Sequence, residues 1–159
     1  MNEELIQVLA TATHIACKMI TSPRQAALQA SFDQACGTST GVGWERKAAA
    51  HAEFFTALAD AAGDPQLTPV FNHGVRFAYD LMIAAGPAAN GIVRNSRKRM
   101  LGHLRAGDPE QAALEMEGHL RILHFMGRLA APPARRAPAQ LQTRQSPVFD
   151  APAAECRPR

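Results

Sequence analysis

Leu104-Arg-Ala-Gly-Asp-Pro-Glu-Gln-Ala-Ala-Leu-Glu-Met-Glu-Gly-His-Leu120 is a helix stop followed at once by a helix restart. Gly107 lacks the Cβ that makes the left-handed conformation costly, so it can close the first helix. Asp108, Pro109 and Gln111 then supply an N-cap, a first-turn proline and a capping-box partner for the second. Two helices joined this tightly fold back on each other as a hairpin. In the second arm Ala112, Met116, His119, Leu123 and Met126 recur at a four-three-four-three spacing, which places them on one face. That face is expected to be buried, and His119 is the odd residue on it.

Outward from the hairpin, the 159-residue chain has room for one domain with a real core. Its 47% apolar share is biased to alanine and leucine, with few β-branched and aromatic residues, which favours an all-α fold. No run approaches the roughly 18 apolar residues needed to span a bilayer. The acidic start Met1-Asn-Glu-Glu4 is the opposite of a signal-peptide opening, so a cytoplasmic protein with no membrane partner is expected. Cys17, Cys36 and Cys156 are odd in number and widely spaced, which suggests neither a disulfide framework nor a paired-cysteine metal site. The net charge of +3 lies in the tail: residues 1–131 hold 12 Lys+Arg and 12 Asp+Glu, whereas residues 132–159 hold 5 arginines and 2 acids. A neutral folded part has no broad field with which to hold a polyanion.

From the N-terminus, Asn2 can cap a first helix that opens on two glutamates, presents Leu5, Val8, Leu9, Ala12, Ile15, Ala16 and Met19, and ends near Thr21. Ser22-Pro-Arg-Gln25 reads as a second capping box, opening a helix to Gly37. Gly37-Thr-Ser-Thr-Gly-Val-Gly43 is a flexible loop. It lacks the Gly-Lys-Ser/Thr ending and the preceding strand of a phosphate-binding loop. Trp44 to Ala62 reads as one helix with Ala48, His51, Phe55, Leu58 and Ala62 on one stripe and Gly63 as its stop. Asp64-Pro65 repeats the punctuation of Asp108-Pro109. Pro69 makes the next helix either kink or begin at Thr68. Its apolar residues run to Ala85, with Asn72, Arg76 and Tyr79 as a polar line, and Gly86-Pro87 breaks it. A further helix spans about Ala88 to Ala106, and the hairpin's second arm reaches about Ala131. Pro132-Pro133 then opens a Pro, Ala and Arg-rich segment, 132–159, expected to be a disordered basic tail.

His51, Arg97 and His119 lie on three separate stripes that otherwise look buried. Burying imidazole or guanidinium without partners costs several kcal/mol, and guanidinium does not escape by losing its proton. Each must meet an acid, water or a ligand. The alternative is that each is a partnered structural residue or lies just off the buried arc.

His51-Ala-Glu-Phe-Phe-Thr-Ala-Leu-Ala-Asp-Ala-Ala-Gly-Asp-Pro-Gln-Leu67, with Leu104-Arg-Ala-Gly-Asp108 and Met116-Glu-Gly-His-Leu120, resembles the FCD family, the effector-binding C-terminal domain of FadR-type GntR transcriptional regulators. The similarity covers roughly residues 3–129. It implies an antiparallel bundle of six or seven helices that dimerises and binds a small carboxylic acid in a central cavity. Many relatives hold a divalent metal with one aspartate and three histidines. In this chain those positions fall on His51, Phe55, Arg97 and His119, so only the last is retained. Phenylalanine ligates nothing, and arginine is not a normal metal ligand. If a metal is held, His51 and His119 are its ligands, and two imidazoles fall short of the three or more protein ligands such sites use. No cofactor is therefore assigned. Arg97 can instead supply the positive charge, because its planar fork holds a carboxylate bidentately. His51, Phe55, Asn72, Arg76, Arg97 and His119 are the expected lining of the effector cavity.

The winged helix-turn-helix that precedes this domain in GntR regulators has no room ahead of Met1, so DNA contact is expected only through a domain absent from this chain. The expected function is ligand sensing and homodimerisation, with a small organic acid as effector. The alternatives are a degenerate module that only dimerises, its cavity filled by Phe54, Phe55 and Met100, and a small helical enzyme. The enzyme reading lacks any HExxH, GxSxG or pair of acids on a shared stripe.

Overall fold

The computed structural model describes residues 2–37 and 41–131. The centre of the Gly37–Gly43 loop, the 132–159 tail and Cys156 lie outside them. Every regular element among the described residues is helical: α1 (Asn2–Met19), α2 (Ser22–Cys36), α3 (Trp44–Ala52), α4 (Phe54–Ala62), α5 (Thr68–Ala85), a 3-10 turn (Pro87–Ala89), α6 (Asn90–Ala106) and α7 (Pro109–Ala130).

The α6–α7 hairpin closes as its sequence directs. Gly107 is left-handed (φ 66°, ψ 34°), its N–H donates to the Leu104 carbonyl, and the Asp108 N–H donates to the His103 carbonyl. These two bonds satisfy orphan carbonyls at the end of α6. The Asp108 carboxylate then accepts from the Gln111 N–H at 3.1 Å and starts α7. Because the Asp108 amide is already committed to the turn, the reciprocal half of a capping box has no donor left to satisfy.

The other Gly-Asp-Pro sequence works differently. Gly63 is also left-handed (φ 65°), but Asp64 forms a local turn with the Gln66 N–H, and helix resumes only at Thr68. The end of α4 is satisfied from another element, as Arg24 of α2 donates to the Ala61 and Ala62 carbonyls at 3.3 Å. A cation at a helix C-terminus also complements the macrodipole.

Two local expectations need correction. Ser22 does not cap α2: the N-cap is Thr21, with no side-chain cap bond, and Gln25 donates to the Leu104 carbonyl instead, a tie from α2 to α6. The stretch from Trp44 to Ala62 is two helices, since Glu53 leaves helical register (ψ −14°) while its N–H still bonds the Ala49 carbonyl. The interruption falls between His51 and Phe54.

Helices α5 and α7 form the centre of the bundle. α7 packs against α1, α5 and α6, while α5 also receives α3 and α4, and α2 closes the far side against α4 and α6. Phe55, Leu58, Phe71, Met82, Met100, Leu104, Met116 and Leu120 are fully buried between them. Trp44 is pinned to α5 by its indole N–H on the Met82 carbonyl at 3.0 Å. No helix among the described residues is long and apolar enough to cross a membrane.

Candidate functional site

The last turn of α3, the first turn of α4 and the middle turns of α6 and α7 meet inside the bundle. Arg97 is 0% exposed, and His51 and His119 are each 2% exposed. The Arg97 guanidinium carbon lies 4.4 Å from the Phe54 ring centre and 4.9 Å from that of Phe55. Two aromatic faces therefore receive the charge, a favourable cation–π arrangement in a desolvated setting. Phe55 is itself held by a close approach: a Cβ on Gly74 of α5 would stand 2.9 Å from Phe55 Cδ1 and 2.8 Å from Leu9 Cδ2. Glycine in the middle of α5 is what lets α1 and α4 settle there.

Ring contact does not satisfy the guanidinium's N–H groups. Nε, Nη1 and Nη2 of Arg97 meet no protein hydrogen-bond partner, nor do both ring nitrogens of His119 and Nδ1 of His51. Burial pushes the Arg97 guanidinium down to about 9, opposed by the charge of Glu115, so it stays charged at neutral pH. Burial, then the Arg97 charge, pushes His51 down to about 4, while a hydrogen bond with the Asn90 side chain acts the other way. Burial and the charges of Arg97, His51 and Arg99 hold His119 well below the usual imidazole range. At neutral pH the cluster is one buried cation beside two neutral imidazoles, with several unused donors.

Glu115, the acid whose field reaches Arg97, is engaged elsewhere. Its carboxylate accepts from Ser96 Oγ at 2.5 Å and from Arg99 Nε and Nη2 at 2.9 and 2.8 Å.

The sequence-derived site residues divide accordingly. His51, Phe55, Arg97 and His119 are buried together. Asn72 and Arg76 are exposed, because α5 buries Phe71, Gly74, Ala78, Leu81, Met82 and Ala85, and at about 100° per residue both fall on the opposite side. They do not reach the cluster. Asn90 was not foreseen beside His51. It lies seven residues before Arg97 on the same face of α6, so the periodicity that singled out Arg97 also reaches it.

A divalent metal does not fit these residues. Among the described residues no group of three or more His, Cys, Asp or Glu could hold a metal ion. The two imidazoles share their space with a guanidinium whose charge repels a cation, and with two phenyl rings that offer no donor. The donor chemistry suits an anion instead, since three nitrogens of one buried arginine stand unpaired.

No match to the chain is found among curated proteins. The family profile described as FCD domain matches residues 6–122, most of the chain and all of the helices that build the cluster. With that match and an all-helical bundle, the chain belongs to the FCD domain family, the effector-binding C-terminal domain of GntR-family regulators and a regulatory rather than an enzymatic family.

Proposed function

We propose that this chain is the sensing domain of a FadR-type GntR regulator in the cytoplasm and that it binds a small organic acid inside the bundle, without a metal. Arg97 takes the carboxylate through its two-pronged fork. His51 and His119, neutral at physiological pH, donate or accept at its edge, and Phe54 and Phe55 hold the guanidinium from behind. One observation carries the reading: a fully buried arginine with all three nitrogens unpaired, and the nearest acid bonded to other residues. A module that only dimerises gives those donors no use, and burying them unmet costs several kcal/mol.

Effector binding acts by population shift. A ligand that bonds Arg97 on α6 and the histidines on α3 and α7 favours the helix arrangement in which these three elements are drawn together. Homodimerisation, and DNA binding through a winged helix-turn-helix domain, belong to the same proposal. Thermal-shift titration with a panel of mono- and dicarboxylates and divalent metals tests it, because a ligand that binds only the folded state raises its apparent stability. The expected result is stabilisation by at least one acid in the wild type and none in Arg97→Met. An equal shift in both, or a stoichiometric tightly bound divalent ion, would sink it.

A further inference from the structure

Helix α7 has two apolar faces. One enters the core through Ala112, Met116, His119, Leu120 and Leu123. On the side directed away from the core lie Leu114 (59% exposed), Ile122 (45%), Phe125 (62%) and Leu129 (69%), with Gly118 in the same stripe. At about 100° per residue these five positions fall within a quarter-turn of one another. A continuous exposed stripe of large apolar side chains on a soluble bundle marks a contact surface.

We propose that this seam is where a second copy of the same chain packs, its α7 antiparallel to the first, about a two-fold axis crossing the helix between Arg121 and Ile122. The proposal rests on the dimerisation component of the sensor reading and supplies its surface. The seam is self-complementary in this orientation. The axis sets Leu114 level with the partner's Leu129 and Gly118 level with the partner's Phe125, so the largest ring faces the one position without a side chain. Gly118 is open to receive it: a Cβ there would meet nothing within 4 Å in its own protomer. Ile122 falls beside the partner's Ile122.

Charge is complementary in the same orientation, beyond the pairs that Arg121 makes with Glu117 and Glu3 in its own protomer. One flank of the seam carries Glu110 and Glu117 in its first half and Arg121 and Arg128 in its second. A two-fold axis keeps this flank beside its own copy, so antiparallel packing sets the acidic half of one helix against the basic half of the other. In a parallel pair the axis runs along the helices and carries this flank to the far side of the partner, so the complementarity would not be used. Antiparallel packing also opposes the two macrodipoles, and an interface built from one patch used twice closes as a dimer.

Sedimentation of the full chain, with three substitutions, tests this. The wild type is expected to be a dimer, and Phe125→Glu to raise its dissociation constant at least a hundredfold. Gly118→Leu is the sharper variant: it fits the isolated protomer and improves helix propensity, yet fills the space needed by the partner's Phe125. It should give a monomer whose Tm is no lower than that of the Phe125→Glu monomer. Ile122→Cys should cross-link to itself under mild oxidation, and Val8→Cys, on the exposed stripe of α1, should not. A monomeric wild type, whatever else covers the seam, overturns the inference, as does dimerisation unaffected by both variants or cross-linking through Val8→Cys. Carboxylate titration of the same proteins separates the two readings, because acid binding by a monomeric wild type defeats only the seam and a seam dimer that binds no acid defeats only the sensor.

Discussion

Arg97 and Arg99 lie two residues apart on α6 and leave it in different directions. The side chain of Arg99 is 56% exposed and holds Glu115 through two parallel hydrogen bonds, although water would have served it well. Arg97 is wholly buried, where an ion partner matters most, and has none. The same carboxylate explains both conditions. Glu115 is drawn to the outer arginine and to Ser96, leaving the inner cation to two phenyl rings that satisfy its charge in part and its hydrogen-bonding capacity not at all. An arginine kept only for stability would be expected to take the acid. The arrangement makes sense when the inner donors are reserved for an anion that arrives from outside.

The largest effect that bears on this contrast is the loss of acid binding in Arg97→Met. Removing one partner of a desolvated charge pair costs about 3 kcal/mol or more, on the order of a hundredfold in affinity. The same substitution removes a buried charge that the two rings compensate only in part, so the unliganded protein should be no less stable, and its Tm should hold or rise. Calorimetry with the best acid from the panel and thermal unfolding without it check the two halves. Weakened binding accompanied by a large fall in Tm would instead make Arg97 a structural residue.

Next comes Gly74→Ala. The added methyl would press on Leu9 and on the Phe55 ring that supports the guanidinium. Overpacking of this kind costs roughly 1–3 kcal/mol, which outweighs the gain of alanine over glycine within a helix. Denaturant unfolding measures it, with Gly102→Ala as the control, since a Cβ at Gly102 meets nothing within 4 Å.

Most of the helical architecture was legible because helix grammar is local. Gly107, Asp108 and Pro109 do in the structure what their chemistry requires, and the four-three spacing of α7 names its buried face correctly. The misreadings arose where a side chain had a distant option. Gln25 reads as a cap for its own helix terminus but reaches the Leu104 carbonyl 79 residues away. Asn72 and Arg76 read as cavity residues because α5 is apolar around much of its circumference, which leaves the buried arc undecided until neighbouring helices fix it. Burial of His51, Arg97 and His119 could be inferred from single stripes. Their lack of partners could not, because it depends on Glu115 turning outward, a choice between two arginines two residues apart that periodicity does not resolve.

The histidines make stability fall on acidification. Both are held below their unfolded value of about 6.5, His51 at about 4 and His119 well below the usual range. Between pH 6.5 and about 4 the unfolded chain binds protons that the folded chain refuses, so stability is intact above 6.5 and falls as pH drops through this window. Tm measured from pH 7.5 to 5 should decline, and His51→Asn should decline less steeply than wild type. A bound carboxylate favours the protonated imidazoles, so the decline should be shallower when the acid is present.

The smallest effect belongs to the outer arginine. Arg99→Gln removes an exposed ion pair, and such pairs contribute about 0–1 kcal/mol. The change in Tm should be correspondingly slight, and in high salt it should nearly vanish. Its value lies in the binding measurement. Releasing Glu115 from Arg99 leaves its carboxylate with the hydrogen bond from Ser96, and Arg97 as the unpaired cation within reach of its charge. If Glu115 then competes for the inner donors, acid affinity falls severalfold in Arg99→Gln, and a second substitution, Glu115→Gln, restores it. Such a reversal would show that the outer pair keeps the inner arginine free, whereas equal affinities in all three proteins would confine the Arg99–Glu115 pair to the surface.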